Sequence, residues 1–264
     1  MIRKIIMPGT NISVSRLSFG TASLHHLWSS RERQDLLAVA AESGISHFDT
    51  SPYYGYGLAE QELGAFLRIT RSKITVATKI GLYPPRWGGR KVWTIWASKL
   101  SGRVLPILSR PIVDWSVKRA ALSLDQSLRR LAIERVDFLL LHEPHAALMQ
   151  SDEILSWLLR EQRQGKIGAW GLAGNVHDMH DWISAGHSLA QVLQVKDSLE
   201  GRQADKLKVY ERQYQFSFGY LSSRATMSAG DALRAALRRN LSGSVIVSSR
   251  SRQRISKLAA AGRE

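Results

Sequence analysis

The sequence predicts an α/β protein: a single (β/α)8 TIM barrel with an N-terminal extension and a basic, Trp-rich insertion after the third strand. Three observations predict it. Short β-rich runs alternate with amphipathic helical stretches along the whole chain, the pattern of a parallel sheet wrapped by helices. The 264 residues match the roughly 250 that one such barrel needs. No linker or break in composition divides them, so residues 1–264 read as one domain.

Taken in order, residues 16–22 read as the first strand and 31–43 as the helix after it, with Leu36, Leu37, Val39 and Ala40 on one side. Ser29 or Ser30 is its N-cap, and Gly44 falls just past its end, where a left-handed backbone favours glycine. The second strand is 45–50, the second helix 58–67 and the third strand 74–79. A helix capped by Asp114 runs to residue 130. Residues 136–141 form a fourth strand, apolar but for Asp137, which suits a strand covered on both faces. The second half continues with a helix at 151–164, a strand at 167–173 and a helix starting near His177. Strands six and seven are expected at 191–195 and 207–210, with a vestigial helix between residues 198 and 206. A helix at 230–239, a strand at 244–247 and a closing helix from Ser251 complete the repeat.

Residues 83–112 interrupt the rhythm. Trp87, Trp93 and Trp96 stand there among Arg86, Arg90, Lys91, Lys99, Arg103 and Arg110, without an acidic residue. Such aromatic content argues against disorder. An insertion after the third strand belongs at the C-terminal mouth of the barrel, where active sites occur. A lid over the substrate is the leading expectation. The alternatives are peripheral membrane contact through residues 92–108, which mix Trp, Leu and Ile with Lys and Arg, and a structural excursion packed on a helix.

Composition narrows the function classes. Lys and Arg number 37 against 22 Asp and Glu, a formal charge of +15. That field attracts phosphorylated cofactors, acidic sugars, nucleic acid or anionic lipid. Nucleic acid is disfavoured, because the basic residues are spread along the chain without a recognised binding motif. The lack of cysteine excludes disulfides and thiolate chemistry. Pro8 and Gly9 break the apolar start, so no secretory leader is read. No stretch approaches the roughly 20 apolar residues of a membrane span. A cytoplasmic protein is the expectation.

Four polar residues fall at or just past the ends of consecutive strands: Asp49, Tyr54 in the turn that follows it, Lys79 and His142. In a parallel barrel those ends share one rim. Each residue alone reads equally well as a turn cap, a packed ring, a solvated ammonium or a structural imidazole. Together on three successive strands they suggest a site. Carbonyl reduction by hydride transfer needs a proton donor aimed at the developing alkoxide. A phenol ordinarily titrates near about pH 10. A neighbouring ammonium, held by a carboxylate, is expected to lower that value, while an imidazole orients the substrate oxygen. No metal is required. His177 and His180 lack a third ligand, whereas His25 and His26 follow the first strand and face the mouth.

The run from Phe48 to Gly64, Phe-Asp-Thr-Ser-Pro-Tyr-Tyr-Gly-Tyr-Gly-Leu-Ala-Glu-Gln-Glu-Leu-Gly, resembles the signature of the aldo-keto reductases, in the form of their aldose-dehydrogenase branch (D-threo-aldose and L-galactose dehydrogenases). Ala77-Thr78-Lys79, Leu140-Leu141-His142 and Gly165-Lys166-Ile167-Gly168 match the family in order. The resemblance covers nearly the whole chain. It implies NAD(P)-dependent interconversion of a carbonyl and an alcohol, with Tyr54 as acid/base, Lys79 and Asp49 tuning it and His142 orienting a small, sugar-like substrate. Tyr54 rather than Tyr53 takes the role because it stands five residues past Asp49.

The resemblance also assigns cofactor contacts. Gln194 matches the glutamine that meets the nicotinamide carboxamide. Ala173-Gly174 replaces the usual Ser-Asn pair, leaving Asn175, one place later, as a substitute. The aromatic that stacks on the nicotinamide falls near residues 213–216, with Tyr214 as candidate. Ser248, Ser249, Arg250 and Arg254 resemble the adenosine-phosphate loop, where a helix N-terminus favours phosphate. The arginines favour NADP over NAD. The same barrel also serves potassium-channel beta subunits. The alternative is therefore a cofactor-binding partner protein, weak or inactive in catalysis and membrane-associated through the basic insertion.

Overall fold

The computed structural model describes residues 2–85, 111–221 and 227–263. The chain opens with an antiparallel hairpin of β1 (Lys4–Ile6) and β2 (Ser13–Ser15). Met7 and Val14 are fully buried and join Phe138, Leu140 and Phe216 in an interior cluster. The N-terminal extension thereby plugs the base of the barrel.

Eight parallel strands close that barrel: β3 (Leu17–Gly20), β4 (His47–Asp49), β5 (Thr75–Ile80), β8 (Val136–His142), β9 (Ile167–Gly174), β10 (Val192–Lys196), β11 (Phe216–Phe218) and β12 (Ser244–Val247). β12 pairs back onto β3, so no edge remains open. Val136–His142 and Ile167–Gly174 are buried almost throughout, as expected of strands filling the interior on one side and carrying helices on the other.

The helices are α1 (Ser30–Glu42), α2 (Leu58–Ile69), α3 (Val117–Leu131), α4 (Ser151–Arg163), α5 (His180–Ser184), α6 (Ala229–Arg239) and α7 (Arg252–Ala261). Serines start four of them. Ser29 and Glu32 form a capping box on α1, and Ser116, Ser228 and Ser251 accept from the third residues of α3, α6 and α7. Asp114, expected to cap α3, instead accepts from the Ser116 amide at 2.9 Å. It orders the approach and leaves the cap to the serine.

Two further differences concern strand seven and the insertion. Residues 207–210 lie in a 3-10 segment, Gln203–Tyr210, and the seventh barrel strand is β11. The Lys-Leu-Lys-Val-Tyr run mimics strand alternation, but Leu207 is buried and Val209 is 82% exposed. Asp197, buried just past β10, pins the segment by accepting from the Ala204 amide. Its other oxygen accepts from Tyr220 at 2.6 Å and Arg239 at 2.9 Å. The flanks of the insertion form a small antiparallel ribbon of β6 (Leu82–Tyr83) and β7 (Ile112–Val113). The expected lid and the membrane contact through 92–108 fall on residues 86–110, which lie outside the described residues.

Candidate active site

The strand ends bring four side chains to one rim. Asp49 closes β4, Lys79 lies one residue from the end of β5, and His142 closes β8. Tyr54 reaches the same place from the loop before α2. Behind it the chain turns sharply through Gly55 and Tyr56, with φ of 58° and 57°, a region that favours glycine. A Cβ on Gly55 would come within 2.7 Å of the His25 Cβ, so a side chain there would push the loop off its seat. Buried ion pairs hold α2 behind the tyrosine: Arg33 to Glu62 at 2.8 Å and Arg130 to Glu60 at 2.7 Å. Thr78 donates to the same Glu60 at 2.6 Å, tying α2 to β5.

Lys79 is the hub. Its Nζ donates to both Asp49 carboxylate oxygens at 2.7 Å, to the Thr50 carbonyl at 3.0 Å and to the Tyr54 hydroxyl at 3.2 Å. An ammonium has only donors, so the Tyr54 oxygen accepts from it and the phenol proton is left to point elsewhere. Gln194 Nε2 donates to Asp49 Oδ1 at 2.7 Å, so the carboxylate is gripped from two strands. The His142 ring stands edge-on to Tyr54 with centroids 5.8 Å apart, and its Nδ1 lies 3.4 Å from Ser51 Oγ.

Burial decides the protonation of the phenol and the imidazole, and neighbouring charge decides that of the lysine. Burial raises the Tyr54 phenol above its ordinary value and outweighs the pull of Lys79 in the other direction. This reverses the expected lowering: the ammonium is present, but the desolvated phenolate costs more than one partner returns. Burial also works against the Lys79 charge, yet Asp49 and then Tyr54 overcome it and hold the ammonium above its usual value. Burial, then Lys79, keeps His142 well below the usual imidazole range. At neutral pH the rim therefore presents a protonated phenol, a charged lysine and a neutral imidazole.

These groups open onto a cavity of about 550 Å³. Its lining includes Asp49, Tyr54, Lys79, His142 and Gln194, and extends past Ala173 and Gly174 to Ser248 and Arg254. Arg254 is exposed in the first turn of α7 and closes no ion pair among the described residues. The other cofactor candidates lie elsewhere. Asn175 is exposed and donates to Asp178 at 2.9 Å. Tyr214 precedes β11, at the wrong end of that strand for the mouth, and its hydroxyl donates to the Arg239 carbonyl. The displaced seventh strand accounts for that error. Ser249 folds inward, where its Oγ accepts from the Ser251 amide at 3.1 Å, and Arg250 points to solvent away from the lining.

Sequence reasoning passed over several lining residues. Phe218, Gly219 and Leu221 belong to the true end of strand seven. Leu82 opens β6 of the ribbon and Pro111 precedes β7. Glu143 follows His142 directly, with a left-handed φ of 49°. The apolar run ending in His142 was signal enough for Glu143, since the residue after a strand end shares the rim.

The model of the aldo/keto reductase family matches residues 16–212, which include all four rim residues. The chain belongs to the aldo/keto reductase family. L-galactose dehydrogenase from Arabidopsis thaliana is 29% identical over 182 residues, 66% of this chain and 49% of that protein. D-threo-aldose 1-dehydrogenase from a Pseudomonas species is 29% identical over 174 residues, 63% of this chain and 52% of that protein. The match thus spans about half the length of these relatives. Among solved structures, the aldo/keto reductase chain shares its fold with glycerol dehydrogenase from Gluconobacter oxydans at a TM-score of 0.76 and 19% identity. That likeness covers 98% of this chain and 89% of the other.

Proposed function

We propose that this chain is an NAD(P)-dependent oxidoreductase that interconverts a small aldehyde, ketone or aldose and its alcohol, with Tyr54 as acid/base. One observation carries the reading. A buried, protonated tyrosine accepts from a lysine at 3.2 Å, while that lysine is saturated by Asp49, and the phenol faces an open cavity. A nicotinamide cofactor fits the lining. Ser248 and the unpaired Arg254 stand at one end, beside the start of α7, where a phosphate is favoured. Ala173 and Gly174 offer no side-chain bulk against a flat ring. The cofactor, when bound, supplies or accepts a hydride at the carbonyl carbon.

The protein's own residues do the rest. Neutral His142 and the Tyr54 hydroxyl converge where a carbonyl oxygen would lie, and Tyr54 gives its proton to the oxygen as negative charge develops. Lys79 remains charged throughout and stabilises the resulting phenolate, while Asp49 and Gln194 hold it in place. In the oxidative direction the phenolate takes the alcohol proton back. Sugar-like substrates are the favoured class, in keeping with the names of the relatives above.

The test is a turnover screen with NADPH and NADH across aldoses, sugar acids and aromatic aldehydes, paired with cofactor titration by tryptophan fluorescence. We expect turnover, tighter binding of NADPH, and an Arg254→Ala variant that loses about tenfold of that preference, the scale of one charge-assisted contact. A Tyr54→Phe variant that turns over normally overturns the assignment. The loss of the Ser-Asn pair at Ala173 and Gly174 favours one second reading, a cofactor-binding partner protein. Cofactor binding without turnover of any substrate supports it.

A further inference from the structure

The face opposite the mouth has a character of its own. It is formed by the strand N-termini, the ends of the helices that precede them and the β1–β2 hairpin. Arg3 precedes and Lys4 opens β1, Arg71 and Lys73 precede β5, Arg135 precedes β8, and Arg238 lies near the end of α6. All six are exposed, and none closes an ion pair among the described residues. Arg238 and Arg71 stand at the carbonyl ends of their helices, but the other four sit in loops and a strand where no helix end explains them. Arg3 and Arg238 line one hollow of about 210 Å³, and Lys4, Lys73 and Arg135 line another of about 670 Å³. Nearby carboxylates offset part of this charge but are outnumbered by it. Asp137 lines the larger hollow, accepts from the Val76 amide at 2.8 Å and feels the charge of Arg135, while Glu42, Glu134 and Glu211 are exposed at the base.

Beside these cations stand three aliphatic side chains in water: Ile6, Ile69 and Leu241, at 61%, 73% and 76% exposure. Their placement is not random. Along β1, Ile5 packs toward the barrel interior while Lys4 and Ile6 face outward together. Ile69 ends α2 just ahead of Arg71 and Lys73. Leu241 lines the same hollow as Arg3 and Arg238.

We propose that this basal face docks on an anionic phospholipid bilayer, with the unpaired cations meeting headgroup phosphates and Ile6, Ile69 and Leu241 entering the interfacial layer. The aliphatics decide between polyanions. They gain from burial at the headgroup boundary, whereas a nucleic acid backbone gives them no partner. No helix among the described residues is long and apolar enough to cross a membrane, so the attachment is peripheral. It leaves the mouth facing water and the cavity accessible. The inference is independent of the chemistry proposed for the mouth.

Vesicle co-sedimentation tests it on the full chain. Binding is expected to vesicles of phosphatidylcholine mixed with phosphatidylglycerol, and not to phosphatidylcholine alone. Combined Lys4→Glu, Lys73→Glu and Arg135→Glu should weaken it by at least about a hundredfold. Lys73→Glu alone, at roughly fivefold or more, serves if the triple variant misfolds. Combined Ile6→Ser, Ile69→Ser and Leu241→Ser should keep low-salt binding and lose the part that survives high salt. The proposal is overturned by no binding to the mixed vesicles, by binding unchanged by the charge reversals, or by binding lost instead on changing Arg86, Arg90 and Lys91 to Gln. Duplex DNA bound as tightly as the vesicles, with the serine variant unaffected on both, overturns it as well.

Discussion

His47 and His142 both sit on barrel strands, and burial drives both below the usual imidazole range, with Lys79 adding to it. His47 lies deep in the barrel, stacked on Phe216 at 4.7 Å and edge-on to Phe138, with Nδ1 2.9 Å from Thr75 Oγ1. His142 stands at the rim, edge-on to Tyr54 and open to the cavity. Residue type and titration behaviour are shared; position along the barrel axis separates them. A perturbed pKa marks burial, and it marks chemistry only where a cavity and a proton donor share the spot.

The largest effect that sharpens this contrast is at the rim. Tyr54→Phe should lower kcat by about 10²–10⁴, the range for a lost general acid, with Tm unchanged; His47→Phe should leave kcat near that of the wild type. Equal kinetic losses in both would erase the distinction between mouth and base. The reverse experiment is acid stability, followed by denaturant melts across pH. His47 titrates at about 3 in the fold and near about 6.5 when unfolded. The unfolded chain therefore binds the extra proton, and stability falls as pH drops from about 6.5 toward about 3. The contribution is on the order of a few kcal/mol. His47→Phe should flatten much of that limb, while the depressed His142 still adds in the same direction.

A smaller effect concerns the support of the rim. Gln194→Leu removes a hydrogen bond to the Asp49 carboxylate, of the kind that contributes about 1.5–3 kcal/mol. We expect kcat to fall roughly tenfold and its pH profile to move, because Lys79 loses its fixed partner; Gln194→Glu should be worse, setting two carboxylates together. A drop in Tm without a kinetic change would make Gln194 merely structural. The least effect is an absence of change. With Tyr54 raised and His142 lowered, the kcat for carbonyl reduction should stay flat from about pH 6 to about pH 9. An inflection near the ordinary imidazole value would place His142 in water.

Much of the site was legible because its residues sit next to strong local patterns. Asp49, Lys79 and His142 each fall at or near the end of a strand-forming run, with an unbroken apolar stretch only before His142, and the tyrosine is carried by a Gly-rich turn. Strand seven was not legible, since residues 206–210 alternate like a strand while Asp197, Tyr220 and Arg239 hold them as a 3-10 segment. Tyr214 was misplaced with it. The direction of the Tyr54 shift was also out of reach, as the lysine was visible in the sequence and the desolvation was not.

Periodicity, caps and strand-end polar residues were enough to dictate seven of the eight strands, their order and the four residues at the rim, because those signals are local and repeat along the chain. Only packing decided where strand seven runs, which arginine faces the cavity and how each rim group titrates. Desolvation and hydrogen-bond partners come from every strand at once, so they exist only when the barrel is closed.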